Sequence, residues 1–271
     1  MMKATPVLRC LAALAHGLML AGAALGDAAQ AGEVLVAVAA NFAGPLAKIG
    51  ESFSAASGHT LKVSVGATGK FYAQIQAGAP FEVLLAADDE TPKRLVADGL
   101  AVAGSHFTYA VGQLVLWSAK PGFVDADGQV LAGQGFAHLA IANPKLAPYG
   151  AAALEVLRAR GLADALAPKL VTGESLAQVW QFVASGNAEL GFVALSQVMQ
   201  LAQLAQMAPL AGPGKPVAGS YWRVPAALHR PIRQDAVLLK AGEKNPAARA
   251  LLEHLKSAQA KAVIEAYGYG H

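Results

Sequence analysis

The chain has 271 residues, a formal net charge of +3, 55% hydrophobic residues and 14% charged ones. This mild balance, with no block of like charge, argues against a nucleic-acid groove or a basic membrane-binding stripe. Apolar runs and helical periodicities alternate regularly along the chain, which argues against disorder.

Lys3 and Arg9 precede an apolar run over residues 11–25, and Ala29-Gln30-Ala31 supplies a small-residue cleavage pattern, so residues 1–31 read as a signal peptide. Fifteen apolar residues are too few for a comfortable membrane anchor. Taking 31 of the 271 residues away leaves 240, enough for one large or two small domains. Cys10 goes with the leader, so the expected mature protein is soluble, exported and free of disulfides. Without Lys3, Arg9 and Asp27, 19 basic and 17 acidic side chains remain, a formal charge of +2.

The mature chain opens with a buried strand over residues 34–38, followed by Phe42, Leu46, Ile49 and Phe53 at helical spacing until Gly58. A second strand alternates through Leu61, Val63 and Val65, and the helix after it closes at Gly78 with Pro80 beyond. Residues 83–85 form a third strand leading through Ala86-Ala87-Asp88 into a third helix. Such a βαβαβα order implies a parallel sheet with helices on both faces. The rhythm resumes after residues 107–111 with strands at 114–117, 138–141 and 190–193 and helices at 150–160 and 176–184. A strand at 236–239 and one long helix over 246–267 complete the pattern. The expected architecture is α/β, with residues 32–110 and 227–271 in one lobe and 111–226 in the other. Open α/β sheets bind ligands beyond the carboxyl ends of their strands, here in a cleft between the lobes.

Four helix starts follow strand ends and could aim backbone N–H groups at an anion. Asn41, preceded by Ala40, stands at the first; it reads as an N-cap or as a side-chain donor to an oxyanion. Thr68 holds the same place at the second, between Gly66 and Gly69. Tyr149 opens the third after Asn143-Pro144-Lys145-Leu146-Ala147-Pro148, where it is either packing or a phenol donor. At the fourth, Ser175 reads as an N-cap and Leu176 presents a backbone N–H. Hydrogen bonds to a charged group contribute about 1.5–3 kcal/mol each. Six or seven donors therefore give a gross ~10–20 kcal/mol, against roughly 8 kcal/mol needed for micromolar capture. No cation is required, so Lys70 reads as a solvated or ion-paired helix residue.

Catalytic and metal patterns are weak. The histidines of the mature chain form no H-x-x-x-H or H-E-x-x-H pair, and there is no G-x-S-x-G elbow. Asp88-Asp89-Glu90 fits dipole-favoured first-turn acids better than paired catalytic carboxylates. Gly66-Ala67-Thr68-Gly69-Lys70 lacks the P-loop spacing and has Phe71 where the magnesium-binding hydroxyl would stand. The reading is of a binding protein, not an enzyme, with no cofactor.

The mature chain resembles the periplasmic molybdate-binding proteins of ABC importers. The resemblance is carried by residues 36–42, by 66–88 with Gln74-Ile75-Gln76-Ala77-Gly78-Ala79-Pro80, by Pro148-Tyr149-Gly150, by Gly191-Phe192-Val193 and by Ala266-Tyr267-Gly268-Tyr269. It implies the two-lobed periplasmic binding protein fold, each lobe a mainly parallel sheet flanked by helices. It also implies a periplasmic monomer that carries molybdate or tungstate to a membrane permease. The family's contacts fall on Asn41, with Ala40 before it, and on Thr68, Tyr149 and Leu176. Many members place a binding Tyr directly after the Gly-Phe-Val strand, where this chain has Ala194. Asn41 and Tyr149 resemble a subgroup in which those two residues supply the polar contacts instead. The alternatives are another oxyanion, such as sulfate or phosphate, an organic anion, or an exported enzyme using the same cleft.

Overall fold

In a computed structural model describing residues 31–207 and 219–270, the strands gather into two five-stranded sheets. The leader expected over residues 1–31 lies, apart from Ala31, outside the described residues. The first sheet begins with β1 (Glu33–Ala39), helix α1 (Ala43–Ser57), β2 (Thr60–Gly66), α2 (Thr68–Gln76), β3 (Val83–Leu85), α3 (Glu90–Ala97) and β4 (Phe107–Gly112). The chain then crosses into the second sheet with β5 (Leu114–Ser118), β6 (Leu139–Ala142), α4 (Pro148–Ala159), α5 (Ala163–Leu166) and β7 (Leu170–Gly173). That sheet continues through α6 (Leu176–Ala184), β8 (Leu190–Ala194), α7 (Leu195–Met207) and β9 (Ser220–Arg223). Finally β10 (Ile232–Leu238) returns to the first sheet, and α8 (Pro246–Leu255) and α9 (Ala258–Ala266) follow.

The sheet orders are β2-β1-β3-β10-β4 and β7-β6-β8-β5-β9. In each, three strands are parallel: β2, β1 and β3 in the first, β7, β6 and β8 in the second. β10 and β5, which the chain enters from the other lobe, run antiparallel to β3 and β8, and the edge strands β4 and β9 run antiparallel to β10 and β5 in turn. The two lobes repeat one plan, with the carboxyl ends of their parallel strands leading into helix starts.

Period-2 alternation builds the first lobe's core on both faces of its sheet. Val34, Val36 and Val38 of β1 pack on one side with Phe42, Leu46, Ile49 and Phe53 and with Leu251 and Ile264. Ala37 points to the other side, with Phe71, Ile75, Leu84 and Leu95. The second lobe's core is a single cluster that reaches across the cleft to Ala39, Ala67 and Ala87, the small residues at or just past the ends of β1, β2 and β3.

The expected long helix over 246–267 is two helices. Lys256 ends α8, and Ser257 takes an extended conformation (φ −65°, ψ 154°), its hydroxyl accepting from the Ala260 N–H at 3.2 Å. A Ser that starts a new helix this way breaks an otherwise continuous apolar period. Four elements not predicted from sequence also appear: the four-residue helix α5, the four-residue strands β7 and β9, and helix α7, which follows β8 with no turn residue between them.

Candidate functional site

Four helix starts meet where the lobes touch, and most of their first-turn N–H groups are already spoken for. At α2, the Lys70 and Phe71 N–H groups donate to the Ala67 carbonyl, and Gly69 N–H crosses the cleft to the Leu146 carbonyl at 2.9 Å. That leaves the N–H of Thr68, the first helical residue. At α4, Pro148 has no N–H, and those of Gly150 and Ala151 donate to the Ala147 carbonyl at 2.9 and 3.2 Å. The N–H of Tyr149 is left there. At α6, Gln178 and Val179 N–H both donate to the Ser175 carbonyl at 3.1 Å, leaving Leu176 and Ala177. A 3-10 turn, Ala40–Phe42, carries Ala40 and Asn41 into α1. Helix starts leave such donors unpaired by geometry, and a buried one requires a partner.

The side chains do not cap these helices. Asn41, Thr68 and Ser175 form no side-chain cap bond, and the N-cap positions of α1 and α2 belong to Phe42 and Ala67. The N-cap reading of Asn41, and of Thr68 in the same relation, is therefore corrected, since both lie one step away from the cap; Ser175 stands at the N-cap of α6 as expected, with its hydroxyl left out of a capping bond.

Thr68, 1% exposed, accepts the Ala87 N–H on its Oγ1 at 3.0 Å. That bond ties the end of β3 to the start of α2 and leaves the hydroxyl proton as a donor. Thr68→Val keeps the shape but strands the Ala87 N–H. The expected cost is about 1–3 kcal/mol of stability by chemical denaturation, with Thr68→Ser close to wild type.

Asn41, 3% exposed, sits in a network linking both lobes. Its Nδ2 donates to Gln234 Oε1 at 2.9 Å and to the Tyr269 hydroxyl at 3.1 Å. Its carbonyl accepts from Ser196 Oγ at 2.8 Å and from the Tyr269 hydroxyl at 2.7 Å. Gln234 Nε2 in turn donates to the Tyr149 hydroxyl at 3.1 Å. Tyr149, 1% exposed, thus has an accepted bond on its oxygen and its own proton still to give. Burial raises the pKa values of Tyr149, Tyr109 and Tyr269, so all three phenols stay protonated and able to donate.

Leu176 is tied in by its carbonyl, which accepts from Gln197 Nε2 at 3.3 Å, while Gln197 Oε1 accepts the Ala194 N–H at 3.1 Å. Ser196, one residue earlier, holds Asn41. The structure therefore brings Asn41, Thr68, Tyr149 and Leu176, with Ala40 beside them, to one lobe junction. Gln234, Tyr109, Ser196 and Gln197 were not singled out from sequence. The signal available was the Gln234-Asp235 pair inside the apolar β10 strand.

Lys70 forms an ion pair with Glu174 across the cleft. Among the described residues, no group of three His, Cys, Asp or Glu side chains could hold a metal ion. A separate interlobe cavity of about 560 Å³ opens beside Asp88, Lys145, Glu155 and Arg233, but Asn41, Thr68, Tyr149 and Leu176 do not line it. Its mixed charge and open mouth do not match the buried ring of donors. Asp88 there accepts the Thr91 N–H at 2.7 Å, so the acidic run starts α3 as expected.

Two α/β lobes closed over converging N–H, hydroxyl and phenol donors, with Lys70 turned aside to Glu174, define a solute-binding protein for a small anion. The chain belongs to the bacterial extracellular solute-binding proteins, whose sequence pattern matches residues 34–270. The molybdate-binding protein ModA of Azotobacter vinelandii is 58% identical to it over 246 residues, 91% of this chain and 93% of that protein. ModA of Rhodobacter capsulatus is 52% identical over 241 residues, 89% of each. A solved structure of an Azotobacter vinelandii periplasmic molybdate-binding protein superposes with a TM-score of 0.81 at 42% identity, covering 88% of this chain and 99% of that one.

Proposed function

We propose that this protein captures molybdate, and tungstate through the same contacts, and delivers it to the membrane permease of an ABC importer. The observation that carries the reading is the set of first-turn N–H groups left over at Thr68, Tyr149 and Leu176, joined by the Thr68 and Tyr149 hydroxyl protons. The protein works in the periplasm as a monomer, after its leader is removed near Ala31. It performs no chemistry on the anion.

The open form admits the anion, and the lobes, 32–110 with 227–271 and 111–226, close over it. Closure sets the Gly69–Leu146 hydrogen bond and the Lys70–Glu174 ion pair across the cleft. Fixed dipoles around a dry site stabilize a dianion without a buried counter-charge, which itself would be costly to desolvate. Tyr149 gives the phenol that Ala194 lacks. Sulfate is a smaller tetrahedron and cannot reach all the donors at once, so it is rejected by unpaired polar groups as much as by weaker contacts.

Calorimetric titration of ligand-stripped protein tests this directly. The expected result is a Kd of about 1 μM or tighter for molybdate and tungstate, with no measurable heat for sulfate or phosphate. Sulfate binding tighter than molybdate would overturn the assignment, and turnover of a substrate without any transport partner would favor an enzyme.

A further inference from the structure

Gln234 touches both halves of the donor set, yet it lies on β10, outside all four helix starts. It is completely buried, and both ends of its amide are used. Oε1 accepts from Asn41 Nδ2 at 2.9 Å and from the Tyr109 hydroxyl at 3.1 Å, while Nε2 donates to the Tyr149 hydroxyl at 3.1 Å. The Tyr109 proton also has the Ala86 carbonyl as acceptor at 3.0 Å, so the Asn41 amide sets which way Gln234 faces, since reversing it would place N–H against N–H.

We propose that Gln234 is a positioning residue for ligand capture: by donating to the Tyr149 oxygen it obliges the phenol to turn its proton toward the anion. A phenol has one proton. Were an acceptor to stand where Nε2 stands, that proton would be drawn to it and lost to the ligand. The same amide takes one of the two Asn41 Nδ2 hydrogens, the other going to the Tyr269 hydroxyl, so Gln234 ties Tyr149 to Asn41 while the donor it directs is the phenol. Gly112 makes the arrangement possible, because a Cβ there would lie 2.1 Å from the Tyr149 hydroxyl oxygen and 2.6 Å from Gln234 Nε2. The inference rests on the proposed function, in which Tyr149 is a ligand contact.

The test is a double-variant cycle read by calorimetric titration with molybdate, using Gln234→Met, Tyr149→Phe and both together. Each single change is expected to weaken binding roughly 10- to 100-fold, the range of one hydrogen bond to a charged group. The double variant is expected to fall within about threefold of Gln234→Met alone, since without the Tyr149 hydroxyl there is no proton left to direct. If Gln234→Met does not fold, as judged by its thermal melt, Gln234→Asn takes its place; its amide keeps the polarity but is one methylene short of Tyr149. Losses that multiply in the double variant would show that Gln234 acts only on the fold and would overturn the inference, as would binding within threefold of wild type by the folded Gln234 variant. Wild-type protein that fails to bind molybdate would overturn the functional reading and this inference with it. Wild-type binding with multiplying losses overturns the inference alone.

Discussion

Gly150→Ala is expected to destabilize the protein by about 1–3 kcal/mol, at the upper end of that range, although Ala ordinarily favors a helix over Gly by about 1 kcal/mol. Gly150 is the third residue of α4, and a Cβ on it would stand 2.0 Å from the Ala142 carbonyl oxygen, 2.7 Å from its carbon and 3.1 Å from the Asn143 carbonyl carbon. These are backbone atoms at the end of β6, and no rotamer change can move them aside. The first turn of α4 must shift away from the strand, and Tyr149 shifts with it. A loss near 3 kcal/mol in a domain of this size lowers the melting temperature by roughly 6–12 °C. Thermal unfolding of the unliganded variant checks the stability, and molybdate titration checks the displaced Tyr149. An unchanged or raised melting temperature would mean that α4 does not need close contact with β6.

The sequence made the strand-to-helix junctions legible because each is marked locally. Val34, Val36 and Val38 alternate along β1, Gly58 and Gly78 stop helices α1 and α2, and Thr68 and Leu176 fall at the first helical position after a strand. What the side chains do there was not legible. Asn41 looks like a cap from its neighbors, but its amide is bound by Gln234 and Tyr269, 193 and 228 residues away. Such partners are set by tertiary packing, and nothing within a helical turn of Asn41 announces them. Strands β7 and β9 escaped because each is four residues long at a sheet edge, too short for alternation to stand out. The break at Ser257 escaped for the opposite reason, since apolar spacing continues across it from Leu255 to Ala260 and Ile264.

The pairing of Lys70 away from the site has a structural logic. Lys70 follows Thr68 by two residues and could have neutralized a dianion, but its ammonium is held by Glu174 at the cleft rim. An exposed pair of this kind adds little to stability and is screened by salt. It joins the start of α2 in one lobe to the residue two before α6 in the other. In the proposed function, recognition rests on donors fixed by backbone geometry, which do not change with pH, and on the Tyr149 phenol, whose burial keeps it protonated.

Leu176→Pro isolates one of those backbone donors. Leu176 is the first residue of α6, where proline is tolerated because its missing N–H has no intrahelical partner. Ser175 before it is already extended (φ −150°, ψ 168°), the conformation that a following proline requires. The helix is therefore expected to form, with the Gln178 and Val179 N–H groups still bound to the Ser175 carbonyl. Only the N–H of residue 176 is removed from the site. Leu176 is also 4% exposed, so its side chain contributes packing that proline fills in part. Leu176→Ala is the matched control, keeping the N–H and losing more of the side chain. If the N–H binds the anion, Leu176→Pro weakens molybdate binding by about 1.5–3 kcal/mol beyond the control, roughly a 10- to 100-fold higher Kd, with the helical circular dichroism of both variants preserved. Equal affinities in the two variants would remove Leu176 from the donor set and leave the second lobe's share of the anion to Tyr149 and the Ala177 N–H.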